Sequence, residues 1–87
     1  MVQKIFPKVL EQASGLVDAD GRVALCQIVR TEGSTPGKPG WKMLLRTSGE
    51  AIGNLGGGAF EALVKVDAAE KLGEAAPEAE LKRYYFT

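Results

Sequence analysis

Eighty-seven residues with eleven basic and eleven acidic side chains carry no net charge, and histidine is absent. The charge balance excludes a dedicated nucleic-acid binder, which carries a strong basic excess, and the missing histidine removes the commonest acid–base group and metal ligand. A chain of this length buries only about 60–65% of the surface its unfolded form exposes. The expectation is therefore one small domain over residues 1–87, with a modest core that a homodimer or a larger partner would extend. The lone cysteine, Cys26, cannot close an internal disulfide, which fits a reducing compartment. No apolar run is long enough for a signal peptide or for the roughly 20 residues of a membrane span. These features predict a cytoplasmic protein without membrane or nucleic-acid partners.

Val2, Ile5, Phe6, Val9, Leu10 and Ala13 recur at helical spacing, with Pro7 tolerable in a first turn and Gly15 as a stop. Asp18 to Gly21 reads as a turn. Arg22 to Arg30 is apolar and partly β-branched, the best candidate for a central strand. Lys42 to Thr47 predicts a second strand, Ser48-Gly49 a hairpin turn, and Glu50 to Asn54 a weaker third strand. Phe60, Leu63, Val64, Ala68 and Leu72 mark one face of a second helix, ended by Gly73. Glu61–Lys65 and Asp67–Lys71 are favourable i,i+4 pairs on it. Leu81 to Phe86 reads as a last strand. The order α-β-β-β-α-β predicts an α+β fold, a small, mostly antiparallel sheet with two helices on one side.

Eight of the eleven glycines fall between Gly33 and Glu61, in two loops that bracket the hairpin. Backbone this rich in glycine turns tightly or approaches something closely. In the first loop, Gly33-Ser34-Thr35-Pro36-Gly37-Lys38 departs from the nucleotide P-loop. Three residues rather than four separate its glycines, and Pro39 follows the lysine. It is either a structural turn or an anion site built from the Ser34 and Thr35 hydroxyls, Lys38 and backbone N–H groups. In the second loop, Gly56-Gly57-Gly58 runs into the helix, whose N-terminal amides and dipole favour a phosphate or another polyanion. A plain turn is the alternative.

Glu61 has three readings: it complements the helix dipole, it fixes the loop amides, or it accepts a hydrogen bond from a ligand. Cys26 reads as a core residue more readily than as a nucleophile, since no base adjoins it. Trp41 stacks on a flat ligand or covers the hairpin. Lys42 and Arg46 share a strand face, as an anion site or a solvated surface. No acid–base pair stands at recognisable spacing, so no catalytic residues and no metal ligands are expected, and the chain reads as non-enzymatic.

The run Ala24-Leu25-Cys26-Gln27-Ile28-Val29-Arg30-Thr31, then Gly33-Ser34-Thr35-Pro36, Pro39-Gly40-x-x-Met43-Leu44, Gly49, Gly53 and Gly56-Gly57-Gly58-x-x-Glu61 resembles the N-terminal domain of the XdhC/CoxI family of molybdenum-cofactor maturation proteins. The resemblance implies a binding and delivery role. Its cargo is the molybdenum cofactor (molybdopterin), a phosphorylated pyranopterin dithiolene, delivered to xanthine dehydrogenase-type hydroxylases. Gly33, Ser34, Thr35 and Lys38 would meet the phosphate together with Gly56, Gly57 and Gly58, while Glu61 fixes the loop or reads the ring. Implied partners are a molybdenum hydroxylase subunit, or a separate Rossmann-type companion that supplies the family's usual C-terminal half. The chain has Ala59 where the family usually has cysteine, Gly37 where it has arginine and Trp41 where it has a small residue. The missing thiol favours an alternative, a protein–protein interaction module that has lost the cofactor.

Overall fold

The structure, a computed structural model, describes residues 2–85, with side chains from residue 8 onward. In chain order it contains α1 (Val2–Asp20), β1 (Val23–Gln27), β2 (Lys42–Arg46), β3 (Ala51–Gly53) and α2 (Gly58–Leu72), an α+β fold. The strands form an antiparallel sheet in the order β1-β2-β3. The order agrees with expectation through α2. No described helix is long and apolar enough to cross a membrane.

α1 runs past Gly15, the expected stop, and ends at Asp20. An interior glycine costs a helix only about 1 kcal/mol, which packing against the sheet offsets. The actual terminator is Gly21: its N–H still reaches the Val17 carbonyl at 2.8 Å, and its left-handed φ of 83° then turns the chain out of the helix. Pro7 falls in the second turn rather than the first. The side chains of Val2, Ile5 and Phe6, assigned to the apolar face, lie outside the described residues.

The central strand is β2, not the segment around β1 as its composition suggests. Met43, Leu44 and Leu45 are all buried, so both faces of β2 are covered, whereas Leu25 of β1 is about half exposed. Register pairs Cys26 with Met43 and Leu45 with Ala51. The hairpin between β2 and β3 closes through Arg46 N–H to Glu50 O and Gly49 N–H to Arg46 O, both 2.9 Å. Gly49 takes a φ of 94°, as a three-residue loop requires.

Alternation sorts the two helices onto opposite faces, against the expectation of one side. Met43, Cys26 and Ala51 share a face with Phe60 and Val64 of α2, gathered around Ile28 and Leu55. Leu44 and Ile52 point the other way, where they line a cavity with Val9 and Gln12 of α1. Arg46 points that way too and holds Asp20 of α1 through two bonds of 2.8 and 2.9 Å. α1 and α2 make no contact with each other among the described residues. Each helix lies against a separate face of the sheet, and that arrangement buries Met43, Leu44 and Leu45 in the middle of β2.

α2 ends at Leu72, and the N–H of Gly73 turns back to the Ala69 and Glu70 carbonyls. Arg22 ties this end to the sheet. It donates to the Leu72 carbonyl at 3.0 Å, to the Glu74 carbonyl and to the Ala75 carbonyl at 3.1 Å, so carbonyls left without helical partners are satisfied. Residues 75–85 contain neither helix nor strand, so the expected last strand, Leu81 to Phe86, is absent over its described part. Phe86 lies outside the described residues. The reason is visible in the side chains: Lys82 and Tyr84 bind α2 instead of an open sheet edge.

Candidate functional site

The two glycine loops meet backbone to backbone. The first is closed at its base by Ile28 N–H to Trp41 O (3.0 Å) and Gly40 N–H to Ile28 O (2.7 Å), which extend the β1–β2 ladder. Its tip, Gly37, lies against Leu55 and Gly56 of the second. A Cβ on Gly37 would stand 2.3 Å from the Leu55 carbonyl oxygen, and one on Gly56 would stand 2.6 Å from the Gly37 nitrogen. Both positions therefore need glycine for close approach, and Gly56 needs it also for its φ of 105°. Gly33, Gly57 and Gly58 have open space where a side chain would be.

Glu61 organises the second loop. Its Oε1 accepts from the Leu55 N–H at 2.7 Å and the Gly57 N–H at 3.2 Å, while Oε2 meets Lys65 at 3.3 Å. Of its three readings, loop fixing is the one realised in these contacts, and its place in the first turn of α2 also suits the helix dipole. The Leu55 amide, then that of Gly57 and the nearby Lys65, hold the Glu61 carboxyl below the ordinary glutamate range against the opposing effect of burial. The Gly56 N–H donates to the Asn54 side chain at 3.0 Å.

A pH prediction follows from that depressed value. A carboxyl with a lower pKa folded than unfolded adds stability above its unfolded value, near 4.3, and loses it as pH falls through the folded value. The native chain should therefore lose a Glu61-dependent increment of stability below about pH 4.3. Glu61→Gln, which keeps an acceptor but cannot titrate, should not lose it. Urea midpoints at pH 7 and pH 3 measure the difference. Glu61→Ala leaves two amides unpaired and should cost roughly 1–3 kcal/mol at pH 7.

The first loop satisfies part of its own polarity. The Thr35 hydroxyl donates to the Gly37 carbonyl at 2.7 Å, and the Lys38 ammonium donates to the Thr35 carbonyl at 3.1 Å. That contact uses one of three ammonium donors, and Lys38 and Ser34 are exposed. Arg46 is committed to Asp20 and Glu50, its charge stabilised foremost by the bond to Asp20. Lys42 donates to the Gly40 carbonyl at 2.9 Å. Trp41 is partly exposed beside the loop. Burial pushes the Cys26 thiol up, away from thiolate character. Among the described residues no three His, Cys, Asp or Glu side chains gather as a metal site.

The structure thus brings Gly56, Gly57, Gly58 and Glu61 together with the loop of Gly33, Ser34, Thr35 and Lys38, joined through Gly37 and Leu55. Neither connector was singled out as a site residue. Glycine density hinted at Gly37, and no local signal marked Leu55, an apolar residue inside a glycine run.

The model of the XdhC and CoxI family matches residues 16–85. Comparison with curated proteins found no match, nor did comparison with solved structures. The matched span takes in both glycine loops, the whole sheet and α2, and the chain belongs to the XdhC and CoxI family.

Proposed function

We propose that this chain is a non-catalytic accessory module that binds the molybdenum cofactor as cargo through its two joined glycine loops. Family membership supports the accessory role in molybdenum-cofactor handling. The single observation that carries the loop assignment is the Gly37–Gly56 contact, which builds two exposed bends into one surface. On this reading the phosphate meets the first loop, at Ser34, Thr35 and Lys38. The N-terminus of α2 at Gly58 and Ala59 adds a positive dipole end. The carboxylate of Glu61 already occupies the Leu55 and Gly57 amides, so it shapes the second loop and keeps the anion to the rim. These residues fit the phosphate and ring of the cargo; they offer no cluster of metal ligands among the described residues. The partners are a molybdenum hydroxylase subunit or a Rossmann-type companion.

The test is retention of cofactor released from a molybdenum hydroxylase, followed through desalting. Lys38→Ala and Ser34→Ala should each reduce retention, and Lys38→Arg should preserve it. No retention by the native chain ends the proposal. A second reading, an interaction module without cofactor, is favoured by Leu63 and Val66, both about half exposed on the outer side of α2, and by Ala59. It expects partner capture that is unaffected by Lys38→Ala but weakened by Leu63→Asp.

A further inference from the structure

The segment after α2 folds back along that helix in an ordered way. Glu80 meets Lys71 at 3.6 Å, Lys82 meets Asp67 at 3.1 Å, and Tyr84 reaches both Asp67 and Phe60. Alternate residues thus reach α2 and step toward its N-terminus; Tyr84 is half-buried there, while Glu80 and Lys82 stay exposed, as do Leu81, Arg83 and Tyr85. This is an extended strap with a strand's period of two. Among the described residues its backbone joins no sheet. The Tyr84 ring stands edge-on to Phe60, centroids 5.4 Å apart and planes at 79°, a favourable aromatic geometry. Its hydroxyl donates to the Asp67 carboxylate. Phe60 and Asp67 are seven residues, two turns, apart and so share a helix face. Phe60 is also two residues past Gly58, at the edge of the second glycine loop, and packs with Cys26 on the same buried cluster.

We propose that Tyr84 is an internal stand-in for a ligand ring, and that residues 80–85 form a releasable strap over a site made by Phe60 and Asp67. The site takes a planar aromatic ring that carries an N–H or O–H donor. Phe60 packs against the ring and Asp67 accepts from its donor, as they now do with Tyr84. This deepens, and rests on, the reading of the adjoining loops as a cargo surface. Ring and phosphate are then held by different residues: Phe60 and Asp67 for the one, the Ser34–Lys38 loop for the other. A covered site binds with an affinity reduced by the fraction of time it is open, so the strap weakens ring binding until it is displaced.

Cys26, the only cysteine, reports the opening because it is partly buried and packs, like Phe60, against the same buried cluster. The experiment measures maleimide labelling of the full chain and titrates it with unphosphorylated pterin, a ring that makes no demand on the phosphate loop. Tyr84→Ala should label at least about fivefold faster than native, as expected for exposure by local opening. It should bind pterin about tenfold more tightly, because the competing ring is gone. Bound pterin should slow labelling again, and Asp67→Ala in the same background, which removes the acceptor, should abolish the gain. Lys82→Glu, on an exposed side chain, loosens the strap by repulsion from Asp67 and should shift both readouts the same way if Tyr84→Ala folds poorly. Equal labelling rates in native and variant chains, or a pterin affinity unchanged by strap release, would overturn the proposal. Loss of cofactor retention in Lys38→Ala with pterin binding intact would separate the phosphate loop from the ring site.

Discussion

Gly56→Ala is expected to be the more damaging of the single-methyl changes at Gly56 and Gly57, at roughly 2–5 kcal/mol. Two costs coincide there. The φ of 105° is one that side chains rarely adopt, and the added Cβ would press to 2.6 Å from the Gly37 nitrogen and 3.0 Å from the Pro36 Cβ. Neither neighbour is the far end of a flexible side chain, so one loop must retreat from the other. Two companions separate the causes. Gly37→Ala has no left-handed φ and meets only collisions, with the Leu55 carbonyl oxygen at 2.3 Å and the Ile28 Cδ1 at 2.6 Å, at roughly 1–3 kcal/mol. Gly57→Ala has open space but a φ of 75° with a ψ of −164°, a region nearly confined to glycine, so only the backbone cost of roughly 1–3 kcal/mol applies. Urea denaturation of the three variants tests the order. A Gly56→Ala effect no larger than that of Gly57→Ala would mean that the loops are not in contact. A chain of this size has only about 4–13 kcal/mol of stability, so the largest of these effects approaches unfolding. The same variant should also lose cofactor retention, because the retention surface needs both bends together.

Leu55→Ala is expected to cost roughly 2–5 kcal/mol, the range for deleting a buried large side chain. Leu55 is only 2% exposed although it sits in a loop. It packs with Ile28 and Met43, with Cys26, Ala51, Phe60 and Val64 around them. Its carbonyl lies under Gly37 and its amide binds Glu61. One residue thus joins the core, the first loop and the carboxylate that shapes the second. The small core has few side chains to collapse into the space, which places the cost toward the upper end of the range. Leu63→Ala, on a residue 46% exposed, is the contrast and should stay within about 0.5 kcal/mol. Denaturant midpoints read both. Similar losses for the two leucines would place Leu55 outside the core.

How far the sequence carried depends on the range of each interaction. The hairpin turn at Ser48-Gly49 and the end of α2 at Gly73 depend on residues within one turn, and both lie as read. The Glu61–Lys65 pair formed for the same reason. Its sister pair did not: Asp67 turned to Lys82 and Tyr84, partners fifteen and seventeen residues away. Gly15 failed as a stop because the contacts of α1 with the sheet, and the Asp20–Arg46 bonds at its end, outweigh a weak local penalty. The strand expected at Leu81 to Phe86 was misread because an extended segment shows the same period whether it joins a sheet or lies along a helix. The eight candidate site residues rest on glycine density and the family resemblance, and the contact that joins their two loops is tertiary. Glu61's bonds to Leu55 and Gly57 were not, since no spacing shows which oxygen a given amide will meet.

By itself, then, the sequence determined the α+β class, the order of elements through α2, the two glycine loops and the family. All of these are written in local periodicity, turn chemistry and a run of residues in register. Only the tertiary structure decided that β2 is central, that the helices take opposite faces, that Gly37 rests on Gly56, and that the final segment binds α2. Each of those depends on which distant surfaces exclude water together and which backbones can approach without a Cβ between them, and neither is encoded in neighbouring residues.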